Sequence, residues 1–416
     1  MYTVLKFGGA SINDVKNIKN VGNILNNYSS KNLVIIFSAM GKVTNMLENV
    51  VEYYVQKSKD PFTELKKIKQ FHYNILYELF NKDHPVFDSV NNLFVEIEWV
   101  LEEEPNQSYS YDYDQIVSIG EFLSTEIMSA YLNKIGFENK LLDVRDLIKT
   151  DNSYRNAKVN WKKTSIEIQN KIKENSFITQ GFIGCTTENF TTTLGREGSD
   201  FTASIFASSL ETKEVVIWKD VPGMMNADPK HFNDAKLLEE ISYDEAIELA
   251  YYGAKVIHPK TIQPLKKKRI PLTIKSFLEP LSRGSKISFN CSDNSPTCSY
   301  IIKENQILII LSDINLSFIV ENHISKIFSL LAEHSVRVNM MQNSALSLSL
   351  CVDNDKYKIP FLISSLEDDF KVDFNKKLSL YTIRHYIKGY NDLFLKDKQI
   401  VLEQRSKNTL QLVVNE

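Results

Sequence analysis

Hydrophobic positions in the first two thirds of the chain fall into two alternating patterns. Short apolar runs occur at 2–7 (YTVLKF), 32–40 (NLVIIFSAM), 140–144, 176–184 (SFITQGFIG), 214–221 (EVVIWKDV) and 271–277 (PLTIKSF), and each predicts a strand. The run at 32–40 is nearly continuous and β-branched, which favours burial on both faces, as in a parallel sheet. Between the strands lie stretches with helical spacing: one to about residue 27, one over 46–105 with breaks near Pro61 and Pro85, one over 115–132 after a polar loop, and one beginning near 199. In the last of these, Ala203, Phe206, Ala207 and Leu210 repeat as one buried face, and Ser199–Asp200 can cap its start. The segment 242–265 has the strongest helix signal. Ser242 and Glu245 form a capping box, Gly253 suits a stop, and Pro259 suits the first turn of a second helix. Strands alternating with helices over short connections predict an α/β fold, an open and mostly parallel sheet sandwiched by helices.

The pattern changes near 285–300, where ISFNCSDNSPTCS is polar and turn-rich and reads as a linker. Beyond it come a strand at 301–313, a helix around 323–335, two alternating strands (VRVNMM and LSLSLCV), a helix at 357–369 and a strand at 371–374. Two more strand patterns follow, LSLYTIRHY and QIVLEQRSKNTLQLVV. This tail predicts a separate α+β region.

Composition narrows the function classes. The 416 residues are 43% hydrophobic and 24% charged, ordinary for a globular protein of two or three domains. A net charge of −3 provides no general basic field for nucleic acid. No apolar run approaches the roughly 18–20 residues of a membrane span, and the first residues read as a strand, not a signal peptide. The four cysteines show no metal-type C-x-x-C spacing; Cys291 and Cys298 could pair, but free thiols suit the expected cytoplasmic setting.

Candidate chemistry gathers where strands end. Lys6 precedes Gly8–Gly9, a strand–glycine–helix arrangement that admits phosphate to backbone N–H groups. Ser38 and Thr44 follow the second strand, at the sheet edge where ligands bind in open α/β folds. Glu121, at a helix start, can bind an amine or simply favour the helix N-terminus. Gly195 and Gly198 bracket Arg196, whose two-pronged donor suits a carboxylate or phosphate.

Six segments in order carry a family resemblance: KFGGAS (6–11), FSAMGKVTN (37–45), SIGEFLS (118–124), GREGSDFTA (195–203), WKDVPGMMNADP (218–229) and ELAYYGAKVIHP (248–259). The sequence resembles the aspartate kinases of the amino-acid kinase superfamily. The match covers about 1–290 as a catalytic domain. Residues 296–416 resemble a tandem ACT regulatory region, with an inserted unit at about 314–375 and a reduced outer unit from 296–313 plus 376–416. The resemblance implies ATP-dependent phosphorylation of the L-aspartate side-chain carboxylate, with Mg²⁺ held mainly by phosphates and no dedicated protein metal site. It implies that Lys6, Gly8, Gly9 and Lys255 hold the transferring phosphate and that Asp200 orients Lys6 and Lys255. Arg196 would clamp the substrate α-carboxylate and Glu121 its ammonium, with Thr44, Ser38 and Ser199 in the same pocket. Lys219, Asp220, Met225 and Lys230 would line the nucleotide site. A homodimer joined through the ACT region, and an amino-acid effector there, are further implications.

The chain also departs from the family pattern. Ala10 stands where the family usually carries Thr, leaving Ser11 to supply a hydroxyl. Glu197 replaces a common glycine, and Lys219 and Met225 replace common Thr and Tyr. Asn339 and Ala345 stand where lysine-sensitive relatives have acidic residues, so weak or absent lysine inhibition is expected. The alternatives are another kinase of the superfamily and a non-catalytic amino-acid sensor; intact Lys6, Asp200 and Lys255 argue against the sensor.

Overall fold

The computed structural model describes residues 1–28, 32–106, 108–173, 175–254, 256–289, 291, 297–314, 317–387 and 398–415. The chain divides into two compact units. One comprises Met1–Met224, Leu237–Ile247 and Val256–Ser292, the other Met225–Lys236, Glu248–Lys255 and Asp293–Glu416.

The first unit begins with β1 (Thr3–Phe7), α1 (Val15–Asn26), β2 (Leu33–Phe37), α2 (Val43–Gln56), α3 (Pro61–Leu79) and α4 (Val86–Glu102). It continues through α5 (Tyr109–Val117), α6 (Ile119–Lys134), β3 (Lys140–Leu142), α7 (Val144–Leu147), α8 (Trp161–Lys171) and β4 (Phe177–Gln180). Next come β5 (Ile183–Cys185), β6 (Thr191–Thr193), α9 (Gly198–Leu210), β7 (Glu214–Lys219), β8 (Glu240–Ser242) and α10 (Tyr243–Tyr252), whose last turns belong to the second unit. The series ends with α11 (Pro259–Lys268), β9 (Leu272–Ser276) and β10 (Ser285–Ser288).

Eight of these strands form one sheet in the order β3-β4-β2-β1-β7-β9-β10-β8, parallel throughout except that β10 runs antiparallel to β9. β1 and β2 are buried at every position: β2 is an unbroken apolar run, and β1 carries Thr3 and Lys6 among its apolar residues. β1 sits between β2 and β7, so the chain leaves the middle of the sheet in both directions. That reversal opens a crevice at the carboxyl ends of the central strands. α9 packs across β1, β2 and β7, and α6 across β2, β3 and β4.

Several local expectations change in three dimensions. Residues 109–117 form α5, capped by Ser108, where a polar loop was expected. The run 176–184 breaks after Gln180 because Phe182 takes a positive φ, and β5 leaves the main sheet to pair with β6. Ser199 and Asp200 do not cap α9; they lie in its first turn, with Glu197 at the cap position and no side-chain cap bond. Nor does α9 bury one face only, since its residues from Gly198 to Ala207 are all buried. Residues 285–288 are a sheet strand and not part of a linker.

The second unit holds β11 (Ser299–Asp313), α12 (Glu321–Glu333), β12 (Val338–Asn343), β13 (Ser347–Asp353), α13 (Lys358–Glu367), β14 (Phe370–Arg384), β15 (Ile400–Arg405) and β16 (Thr409–Asn415). They form an antiparallel sheet in the order β12-β13-β11-β14-β16-β15. Strict alternation sorts β11 onto two cores. Ile307, Ile309 and Leu311 pack with α12 and α13 residues, and Leu308 packs with Met340, Leu378 and Val413. The strand expected at 371–374 and the one expected at 378–386 are one continuous β14. The short IKGYNDLFLKDK connection falls mostly outside the described residues. No helix among the described residues is long and apolar enough to cross a membrane.

Candidate active site

Lys6 is the penultimate residue of a buried strand, yet its ammonium reaches the crevice. The turn after it depends on glycine: a Cβ on Gly9 would lie 2.6 Å from the carbonyl oxygen of Ala39 and 3.0 Å from that of Gly41. This close approach sets the end of β1 against the loop after β2. Ser11 is fully buried and its hydroxyl donates to Gly8 O at 2.6 Å, so it braces the turn from inside.

The charged centre is Asp200, only 2% exposed. Its Oδ1 lies 2.7 Å from Lys6 Nζ and its Oδ2 2.9 Å from Lys219 Nζ. Burial alone would raise the Asp200 pKa, but Lys219 and Lys6 outweigh it and hold the carboxyl down to about 2. Lys219 also donates to Val256 O. Burial pulls its pKa down, and Asp200 and Glu197 more than compensate, leaving it raised. Three strand and helix ends therefore meet at one carboxylate. Asp200 had been expected to orient Lys6 and Lys255; Lys219 is the second lysine it holds, and Lys255 lies outside the described residues.

Glu121 lies at the start of α6, 2% exposed. Its Oε1 accepts from Ala39 N at 3.2 Å, and its Oε2 is buried with no hydrogen-bond partner. Burial pushes its pKa up to about 8, against the opposing pull of the Ala39 amide and of Lys6. A buried carboxylate oxygen with nothing to accept from is costly unless a ligand donor reaches it. The unpartnered Oε2 is the feature that a ligand-binding role for Glu121 would use.

A cleft of about 490 Å³ joins these groups to Ser38, Thr44, Arg196, Glu197 and Ser199. Ser199 reaches it because Gly181 carries no side chain; a Cβ there would meet Ser199 Cβ at 2.5 Å. Glu197 has a φ of 53°, the left-handed region that disfavours a side chain. Its Oε2 is buried without a partner, and burial raises its pKa despite nearby Lys219. Arg196 is exposed and makes no salt bridge among the described residues.

Not every expected residue joins this cleft. Gly8 and Gly9 do not line it, and Asp220 is exposed just past β7. Met225, half-buried, and Lys230, exposed, belong to the second unit. Conversely, the cleft includes Glu48, Tyr113 and Arg155, which sequence reasoning did not select. Tyr113 sits in a tyrosine-rich run read as loop, and Arg155 in a loop with no recognisable spacing. Only the helical period of 109–117 could have signalled the first.

The chain belongs to the amino acid kinase family, whose model matches residues 1–276. Within that family it is similar to the lysine-sensitive aspartokinase 3 of Escherichia coli (strain K12), with 30% identity over 355 residues, covering 84% of this chain and 78% of the relative. Among solved structures it resembles E. coli aspartokinase III in complex with aspartate and ADP (R-state), with a TM-score of 0.86 and 26% identity over 100% of this chain and 96% of that one. The same enzyme in complex with lysine and aspartate (T-state) matches at a TM-score of 0.81 and 27% identity, covering 99% and 96%.

Proposed function

We infer that the protein is an aspartate kinase, which transfers the γ-phosphoryl group of ATP to the side-chain carboxylate of L-aspartate and forms 4-phospho-L-aspartate. The observation that carries the reading is the bridging of Lys6 and Lys219 by Asp200, in a cleft that also holds an unpartnered Glu121 oxygen and a free Arg196. The E. coli relatives, one of them bound to aspartate and ADP, support the same assignment.

The chemistry asks for positioning and charge neutralisation more than for proton transfer. A side-chain carboxylate with an ordinary pKa of about 4 is already a nucleophile at neutral pH. Its oxygen forms the new bond to phosphorus as the bond to the ADP oxygen breaks, and negative charge spreads over the transferring group. Lys6 and Lys219, held by Asp200, supply preorganised positive charge there. The Gly8–Gly9 turn lies beside Lys6; the Gly8 N–H donates to Trp218 O at 3.4 Å, and the Gly9 N–H is assigned to the phosphate on family resemblance. Glu121 takes the substrate ammonium, Arg196 takes the α-carboxylate, and Ser38, Thr44 and Ser199 add hydrogen bonds. Lys255, Asp220, Met225 and Lys230 are assigned to the nucleotide side on family resemblance alone.

Mg²⁺ would enter with the nucleotide and neutralise phosphate charge. The donor set fits that arrangement: the central carboxylate is already engaged by two lysines, so phosphate oxygens are the natural ligands. The second unit is assigned as the ACT-like regulatory region, with residues 314–375 as the inserted unit and 296–313 plus 376–416 as the outer one. A homodimer through this region, an amino-acid effector bound to it, and a cytoplasmic setting complete the proposal.

A coupled ADP-release assay with L-aspartate, with hydroxylamine trapping of the acyl phosphate, tests the assignment. Aspartate-dependent ADP release with hydroxamate formation is the expected result, and its absence would overturn the reading.

A further inference from the structure

We propose that Arg155 is a second arginine of the substrate pocket, and that buried Asp114 sets it beside Arg196 so that the pair selects for the α-carboxylate of the amino acid. The proposal rests on the aspartate kinase reading above.

Three observations converge on Arg155. It lines the same cleft as Glu121, Arg196 and Asp200, although it comes from the irregular segment between α7 and α8. Its φ of 62° is a left-handed conformation that an arginine adopts only when its surroundings hold it there. Its guanidinium lies over the faces of two tyrosines, 4.5 Å from the Tyr113 ring centre and 5.2 Å from that of Tyr109. Among the described residues it makes no salt bridge. A guanidinium stacked on aromatic faces is restrained in orientation while its N–H edge stays available to a planar acceptor.

The restraint comes from Asp114. This fully buried carboxylate accepts from the Arg155 backbone N–H through both oxygens, at 2.9 and 3.1 Å. The same carboxylate accepts from Thr193 N at 2.8 Å and from the Thr193 hydroxyl at 2.7 Å. Thr193 ends β6, two residues before the Gly195–Arg196 turn. That turn also approaches the Arg155 backbone closely, since a Cβ on Gly195 would lie 3.0 Å from Arg155 O. One buried acid thus fixes the spacing of two segments that each deliver an arginine to the cleft. Tyr113 is itself anchored, its hydroxyl donating to Glu48 at 2.7 Å, so the surface beneath the Arg155 guanidinium is held as well.

Two cationic forks lining one pocket, with the Glu121 carboxylate to receive an ammonium, match the head group of a free α-amino acid. Each charge-assisted pair adds to recognition of the α-carboxylate, and losing one fork should cost about tenfold in affinity. Arg155 is therefore a specificity-determining residue, and Asp114 a positioning residue that acts through it.

The test is steady-state kinetics of the full-length enzyme and its Arg155→Gln and Arg155→Lys variants, with L-aspartate and with its α-amide. Both variants keep the backbone N–H that Asp114 binds. For Arg155→Gln the KM for L-aspartate should rise about tenfold or more, with the KM for ATP and kcat within about threefold. The preference for L-aspartate over the α-amide should shrink in parallel, and Arg155→Lys should recover part of it. Wild-type turnover with an unchanged aspartate KM in Arg155→Gln would overturn this inference and leave the functional reading standing. A proportional loss for L-aspartate and the α-amide would overturn it too, since a merely structural role lowers both alike. Absence of aspartate-dependent turnover in the wild type would overturn the functional reading and this inference with it.

Discussion

The carboxylate of Asp200 lies 2.7 Å from the ammonium of Lys6, which joins the end of the first strand to the first turn of α9. The other oxygen of the same carboxylate holds Lys219 at the end of β7. Because Asp200 is buried, the two lysines lose their shared counter-charge if it is neutralised. Asp200→Asn should lower kcat by about a hundredfold or more, the scale of losing a preorganised charge in a phosphoryl-transfer site. Turnover with saturating L-aspartate and ATP checks this.

The same ion pairs predict a pH dependence of stability. The folded-state pKa of Asp200 is about 2, below the ordinary value of about 3.9. A depressed carboxyl pKa contributes stability that is whole above about pH 4 and is lost as pH falls through about 2. Urea midpoints for wild type and Asp200→Asn should therefore differ by a constant amount from neutral pH down to about 4, and converge below that.

Glu121 carries the opposite sign. Its pKa is raised to about 8, so at neutral pH the empty site holds a proton on it. A raised pKa favours folding fully below the ordinary value of about 4.3 and loses that contribution as pH rises through about 8. If Glu121 takes the substrate ammonium as proposed, the pairing lowers its pKa, and aspartate binding at neutral pH should release up to about one proton. Titration calorimetry in two buffers of different ionisation enthalpy will show the release in wild type and its loss in Glu121→Gln. The aspartate KM should fall as pH rises toward about 8.

Arg196 has no salt bridge among the described residues and faces the cleft, so its charge is available to ligand. Arg196→Ala should raise the KM for L-aspartate at least about tenfold and change that for ATP far less. An equal effect on both would contradict its assignment to the α-carboxylate.

Glu197 occupies a left-handed conformation, with a φ of 53°, and leaves one buried oxygen unpartnered. Glu197→Gly removes both costs and should stabilise the fold by about 1 kcal/mol. Urea unfolding followed by circular dichroism measures the difference. The carboxylate also faces Lys219, so its loss should strengthen nucleotide binding.

Asn339, a neutral residue where the family resemblance leads to the expectation of an acid in a lysine-sensitive enzyme, is already engaged. It accepts from Lys303 at 2.8 Å and donates to Gln306 and Asp353 at 2.8 and 2.9 Å. L-Lysine at millimolar concentration should change activity by less than about twofold, below the roughly fivefold at which allosteric coupling usually begins. Strong inhibition in the steady-state assay would overturn this expectation.

The sheet, its parallel character and most of the charged centre were legible in the sequence because they rest on local signals. Buried strands announce themselves as unbroken apolar runs, as at 32–40. Lys6, Arg196 and Asp200 each sit where a strand or glycine turn meets a helix, and Glu121 sits just past the α5–α6 junction. The cap of α9 was misread because Ser199 and Asp200 look like capping residues. Instead, Asp200 is claimed by two lysines, and Ser199 is packed against Gly181, where a Cβ would meet its Cβ at 2.5 Å.

The chain alone determined the order of elements and which residue types stand at the strand ends, since periodicity and turn chemistry act over a few residues. Only the tertiary structure decided which charges meet. Asp200 pairs with Lys219, and Asp114 binds the Arg155 loop and β6, across long separations in sequence. Such pairings depend on which strand lies beside which and on how closely glycine lets backbones approach. They follow from the sheet order and not from any local pattern.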